Sequence, residues 1–268
     1  MPAADRAPGG SEREASRRAP LGGARPIAWL FASLAIVAAS FVKGVVAFGF
    51  PLVATPLLAL ALDVKTAVAV SIVPNIVMDS VQAVRGGGTW STVRRLAVLL
   101  VFGIMGMFVG TRLLAVLPPR VATMSLGMFV LIFVTLSVTG VTLRVPLACE
   151  RWLSPPIGFI AGILGGLTNV PGTALVIYFR ALGMGKQEFV RSVALSFMTY
   201  KIIQLIAVAY YGLLGIDLVL ISVGLTVVGL AAFALGLKVQ DRLPEKTFNR
   251  TVTTFLAALG LWLVARSV

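Results

Sequence analysis

Two lysines stand inside apolar runs. Lys43 interrupts Ile27 to Phe48, and Lys201 lies within Val193 to Leu214. An ionised lysine near a bilayer centre costs about 2.5–3.5 kcal/mol, so it normally faces a cavity or a partner. The chemistry such a cation offers is coordination of an anion. The plainer alternative is snorkelling of the ammonium to a helix end. Snorkelling is awkward for Lys201, which lies well inside its run. Lys43 sits nearer the end of its run and reads either way. Asp79 lies in a third run, Thr66 to Val84, with Asn75 and Gln82. A carboxylate there can take up and release protons, since burial raises its pKa, or serve as a static partner for a lysine. Asn75 and Gln204 can donate hydrogen bonds to an oxyanion.

Other chemistry is excluded by composition. The chain has no histidine and one cysteine, Cys149. Ser-His and Cys-His nucleophiles, imidazole metal sites and an internal disulfide are therefore absent. Gly183 to Lys186 imitates a phosphate loop, but Gln187 follows where Ser or Thr is required and the upstream glycine is missing. No cofactor is expected.

The backbone supplies a second kind of candidate. AFGFP, Ala47 to Pro51, and TNVPG, Thr168 to Gly172, break apolar segments. In lipid, broken helices leave polar backbone groups unpaired, which persists only where protein or a water-filled cavity receives them. Free N–H groups at a half-helix N-terminus suit an anion. Gly49, Pro51, Asn169 and Pro171 are thus candidate substrate-binding positions, with a packing kink as the alternative.

The elements that must hold these residues follow from hydropathy. Of 268 residues, 58% are hydrophobic and 12% charged, about half the usual charged share. The apolar residues fall in blocks long enough to cross the ~30 Å hydrocarbon core as helices. Val121 to Val141 is apolar without alternation, which argues against a β-barrel. The fold expected is an all-α polytopic membrane protein with about eight transmembrane helices in two similar halves. Residues 1–26 read as a disordered tail, 27–143 as the first membrane repeat, 144–154 as a linker and 155–268 as the second repeat. The first apolar run is too long for a signal-peptide core and is expected to stay in the mature protein.

The duplication rests on three windows. Pro51 pairs with Pro171 at an offset of 120, and Ala69 and Ser71 pair with Ala194 and Ser196 at 125. Gly110, Arg112 and Pro118 pair with Gly236, Lys238 and Pro244 at 126. Like halves with a Gly/Pro-interrupted segment in the same place point to a transporter binding site. Two topologies are open. In one, each half crosses four times and the halves are parallel; eight crossings is the preferred reading. In the other, the first two segments of each half form a hairpin that enters and leaves on one side, and the halves are inverted. The glycines at 158, 162 and 166, and at 106 and 110, read as helix-packing faces.

Gly44 to Leu60, GVVAFGFPLVATPLLAL, resembles the first signature of the sulfite exporter TauE/SafE family. Ala161 to Ile177, AGILGGLTNVPGTALVI, and Arg191 to Gln204, RSVALSFMTYKIIQ, resemble its second half. Phe48, Phe50 and Leu52 stand where the family's first signature is usually richer in glycine. The resemblance implies a permease for sulfite, organosulfonates or related anions.

The combined expectation is a secondary transporter of a small sulfur-containing or other organic anion, working by alternating access in the bacterial inner membrane. Its partners are a small anionic solute and the lipid bilayer, with homo-oligomerisation left open. The net charge of +13 is read as membrane electrostatics, not as nucleic-acid binding. An intramembrane enzyme using Lys201 and Asp79 on a lipid-linked substrate, and a membrane scaffold without transport, are the rival readings.

Overall fold

The computed structural model describes residues 26–118, 145–169 and 172–244 apart from 86, with isolated positions beyond. The expected tail, Pro171, and most of the blocks Val121 to Val141 and Thr251 to Ala265 lie outside the described residues. Among the described residues eight helices follow one another: α1 Pro26–Val46, α2 Phe50–Ala61, α3 Val64–Val84, α4 Thr89–Val116, α5 Leu147–Thr168, α6 Gly172–Ala181, α7 Lys186–Tyr210 and α8 Ile216–Arg242. There is no strand among the described residues. Five helices (α1, α3, α4, α7 and α8) are long and apolar enough to cross a membrane.

The short helices have local causes. Gly49 caps α2 with a left-handed backbone, φ 104°, and Pro51 occupies the first turn, where its missing N–H is no loss. Asp63 caps α3 by accepting from the Thr66 N–H at 3.0 Å. α2 has 12 residues, about 18 Å, and α6 has 10, about 15 Å, so neither spans the core alone. The stretch 144–154, read as a linker, is helical from Leu147. Glu150 in the first turn complements the helix dipole, and the Ser154 hydroxyl donates to the Glu150 carbonyl at 2.7 Å.

Contacts fix the direction of each helix. Take α3 as running from a Lys65 end to an Arg85 end. α8 lies parallel to it: Ser222 Oγ donates to the Val70 carbonyl at 2.7 Å, and Arg85 meets Asp241 at 2.7 Å. α1 is parallel to α8, because Gly229 sits beside Ser40 and Gly236 beside Gly44. α4 returns to the Lys65 end, where Lys65 Nζ donates to the Ala115 carbonyl at 3.0 Å. α5 follows α4, with Gly158 against Leu99, Gly162 against Gly103 and Gly166 against Gly110. These are close backbone approaches that only glycine permits, as expected of packing faces. α7 also starts at the Arg85 end, where Glu188 pairs with Arg95.

Thus α1, α3 and α8 run one way, and α5, α7 and α4 run the other. α2 leads back from the end of α1 to the start of α3, so α1 and α2 form a hairpin at the Lys65 end. The Val145 N–H donates to the Ala181 carbonyl at 2.9 Å, closing α5 and α6 into a hairpin at the Arg85 end. The all-helical fold is as expected, but five described helices, not eight, are long and apolar enough to cross, and the helix directions match the hairpin topology with inverted halves and not the preferred parallel one. Hydropathy is blind to direction, so the sequence could not separate the two.

Exchange of the halves preserves the packing. α1 packs on α8 as α5 packs on α4, and α3 packs on α7 across the middle. The hairpin tips correspond closely. Ala47 and Asn169, the two described non-glycine residues with positive φ (71° and 67°), each follow an entering helix. Ala47 N–H donates to the Lys43 carbonyl and Asn169 N–H to the Gly165 carbonyl. The offset there is 122 (169 − 47), two residues from the proline pairing read in the sequence.

Candidate functional site

The polar residues of the sequence reading converge between α1, α3, α5 and α7. Lys43 and Lys201 are both fully buried, so neither snorkels. Lys43 Nζ meets Asp79 Oδ1 at 2.5 Å, and neither side chain is exposed. The Phe197 ring lies 5.4 Å from the same ammonium, within cation–π range. Gln82 Nε2 donates to the Lys43 carbonyl at 3.3 Å, which ties down the last turn of α1. α1 and α3 therefore carry one neutralised pair near the first hairpin tip.

Lys201 is differently placed. Its ammonium donates to Asn169 Oδ1, to Gln204 Oε1 at 2.5 Å and to the Asn169 carbonyl at 3.4 Å. All are neutral acceptors. Among the described residues no salt bridge reaches Lys201, although Asp79 lies within electrostatic range of both lysines. Gln204 is held in turn, its Nε2 donating to the Gly165 and Gly166 carbonyls at 3.1 and 3.4 Å. The buried cluster thus has two lysines for one carboxylate.

Asn169 joins the two halves. Its Nδ2 donates to Thr55 Oγ1 at 2.9 Å and to Ser71 Oγ at 2.8 Å. The second break therefore rests on the short helix of the first hairpin and on α3. Thr55 is a site residue the sequence reading passed over; it is the lone hydroxyl in α2. Ser71 was noticed only as a repeat position.

Ser71, Asn75 and Asp79 lie four residues apart on one face of α3, and all are fully buried. Along that face the Asn169–Lys201 cluster and the Lys43–Asp79 pair are about 12 Å apart. Asn75 stands halfway. Among the described residues both atoms of its amide lack a hydrogen-bond partner, as do Asp79 Oδ2, Gln82 Oε1 and the hydroxyl of Ser196. Unpaired buried polar atoms cost about 1–3 kcal/mol each, and groups that bind a ligand are where such a cost is retained.

Gly49 and Pro51 are buried at the start of α2. The apolar wall beside them is formed by Phe48, Leu52, Phe179, Phe189 and Phe197. No group of three or more metal-ligating side chains occurs among the described residues. The arrangement gathers two ammonium groups with amide and hydroxyl groups in the buried interior, the kind of surroundings that suit an anion. No titratable side chain of the cluster reaches solvent, so the structure is a closed one.

A family model described as "Sulfite exporter TauE/SafE" matches residues 32–263. No curated protein and no solved structure matches the chain.

Proposed function

The chain belongs to the sulfite exporter TauE/SafE family, a family of membrane transporters, and from that premise we propose that it is a permease for a small sulfur-containing or other organic anion. The observation that carries this reading is a pair of buried lysines near the tips of two opposed hairpins, Lys43 paired with Asp79 and Lys201 held by the neutral Asn169 and Gln204. In a low-dielectric interior an uncompensated cation attracts an anion far more strongly than in water. Lys201 supplies the charge, Asn75 and Gln204 supply hydrogen bonds, and Asn169 sets the ammonium in place. Lys43 and Asp79 form the neighbouring pair. An anion entering the site competes with Asp79 for Lys43, which makes Asp79 the candidate for accepting a proton as the pair opens.

The inverted halves support a reading of alternating access. Each hairpin is anchored at one end of the bundle, and the site lies between the two tips. Rocking one hairpin against the α3–α7 core opens the site to one side at a time. The membrane in question is proposed to be the bacterial inner membrane.

The test is flux of a panel of radiolabelled small anions, sulfite, organosulfonates and carboxylates among them, in proteoliposomes. Saturable movement of one class supports the permease. Chemical conversion of a lipid-linked substrate without movement would replace it with an intramembrane enzyme.

A further inference from the structure

The two ends of the bundle differ in charge. Arg85 closes α3, Arg94 and Arg95 open α4, Arg151 opens α5, and Lys186 and Arg191 open α7, all at one end. Lys238 and Arg242 near the end of α8 join them, against Glu150, Glu188 and Asp241, whereas the described helices bring only Lys65 and Arg112 to the other end, where Asp63 and Asp217 balance them. This contrast cannot be read along the chain, because basic residues occur in nearly every loop. It emerges only when the helix directions are known.

We infer that the Arg85 end faces the cytoplasm and its anionic leaflet, so that the α5–α6 hairpin enters from inside and the α1–α2 hairpin from outside. Basic residues in short loops at helix ends are retained on the cytoplasmic side, and anionic headgroups attract each by about 1 kcal/mol. The loops concerned are short: residues 85–88 join α3 to α4, and 182–185 join α6 to α7. The segment ahead of α1 pulls the other way, with five arginines against three carboxylates. The Arg85 end outweighs it because its basic residues recur at the ends of α3, α4, α5 and α7. Arg95 is also fixed there, bidentate to Glu150 at 2.7 and 2.8 Å and paired with Glu188, so its charge cannot migrate to the opposite end.

The orientation assigns a side to each part of the buried cluster. Asp79 lies six positions from Arg85 and Ser71 six from Lys65, so the Lys43–Asp79 pair is nearer the cytoplasmic end and the Asn169–Lys201 cluster nearer the outer end. The inference rests on the helix directions and the membrane reading, and not on which anion is carried.

The chain holds its own probe. Cys149 is the lone cysteine, is exposed, and sits in the first turn of α5 at the Arg85 end. A membrane-impermeant maleimide applied to sealed vesicles of known sidedness reads its position without mutation. Cys149 is expected to label in inside-out vesicles and in detergent, and not in right-side-out vesicles. In a Cys149→Ala background, Asp217→Cys at the start of α8 should give the reverse pattern. Labelling of Cys149 from outside, equal labelling from both sides, or Asp217→Cys reacting from inside overturns the orientation. A flux assay on the same vesicles is independent, so a silent transporter with the expected labelling would count against the substrate class alone.

Discussion

The side-chain amide of Asn169 donates to the Thr55 hydroxyl at 2.9 Å, across 114 positions of chain. The tip of the second hairpin is thereby latched to the short helix of the first. Because the same amide's oxygen accepts from Lys201, movement of either hairpin is felt at the buried cation.

Lys201→Gln is expected to weaken anion transport at least about tenfold, or ~1.4 kcal/mol in apparent affinity, while the protein still inserts. Lys201→Arg keeps the charge but offers a larger, planar group, and should be intermediate. Concentration-dependent flux in proteoliposomes, with incorporation checked, makes the measurement. Unchanged affinity in Lys201→Gln would remove this lysine from the site.

Lys43 should respond differently. Removing one partner of a buried ion pair leaves the other charge uncompensated and costs about 3–5 kcal/mol. Lys43→Gln alone should therefore lower the thermal midpoint in detergent sharply, and Asp79→Asn alone should do the same. The double variant, neutral on both sides, should recover most of that loss. If the double variant is as unstable as the sum of the singles, the two residues do not act as a pair.

Asp79 also has a transport consequence. If it takes up a proton as the pair opens, anion flux through the wild type should acidify or alkalise the vesicle lumen in step with the anion. The Lys43→Gln/Asp79→Asn protein should lose that coupled proton movement. Proton flux followed by a lumenal dye decides it, and coupling unchanged in the double variant would exclude Asp79 as the proton carrier.

Asn169 has two separable roles. Its φ of 67° is a left-handed conformation that asparagine and glycine accept and alanine resists by about 1–2 kcal/mol. Asn169→Gly should keep the hairpin tip and the backbone carbonyl that Lys201 reaches, but lose the side-chain bonds to Thr55, Ser71 and Lys201. Asn169→Ala should lose both the tip and those side-chain bonds. A lower melting temperature for Ala than for Gly, with impaired transport in both, is the expected pattern. Wild-type flux in Asn169→Gly would leave the side chain with no part in transport.

The glycine seams set a control. A Cβ on Gly44 would come within 2.5 Å of the Phe233 carbonyl oxygen, so Gly44→Leu should separate α1 from α8 and abolish the monodisperse protein. At Gly224 nothing lies within 4 Å, and Gly224→Ala should be neutral or gain up to about 1 kcal/mol from helix propensity. Size-exclusion profiles and thermal midpoints compare them.

The sequence by itself determined that the chain is helical and lives in lipid, because apolar block length and low charge density are local properties. It also located both hairpin breaks, since glycine, proline and asparagine declare left-handed or N–H-free backbone where they stand. Lys43, Asp79, Asn75, Lys201 and Gln204 were legible as charged or polar residues out of place in apolar runs. Their partners were not. Lys43 lies 36 positions from Asp79, and Lys201 lies 32 from Asn169; nothing local says which lysine is neutralised and which keeps its charge. Thr55 gave no signal at all, because a single hydroxyl in an apolar helix is cheap and common. Direction was the other silent quantity. A 20-residue apolar helix reads alike from either end, so only the interlocking glycines and the long-range hydrogen bonds reveal that the halves are inverted and that the basic residues gather at one end.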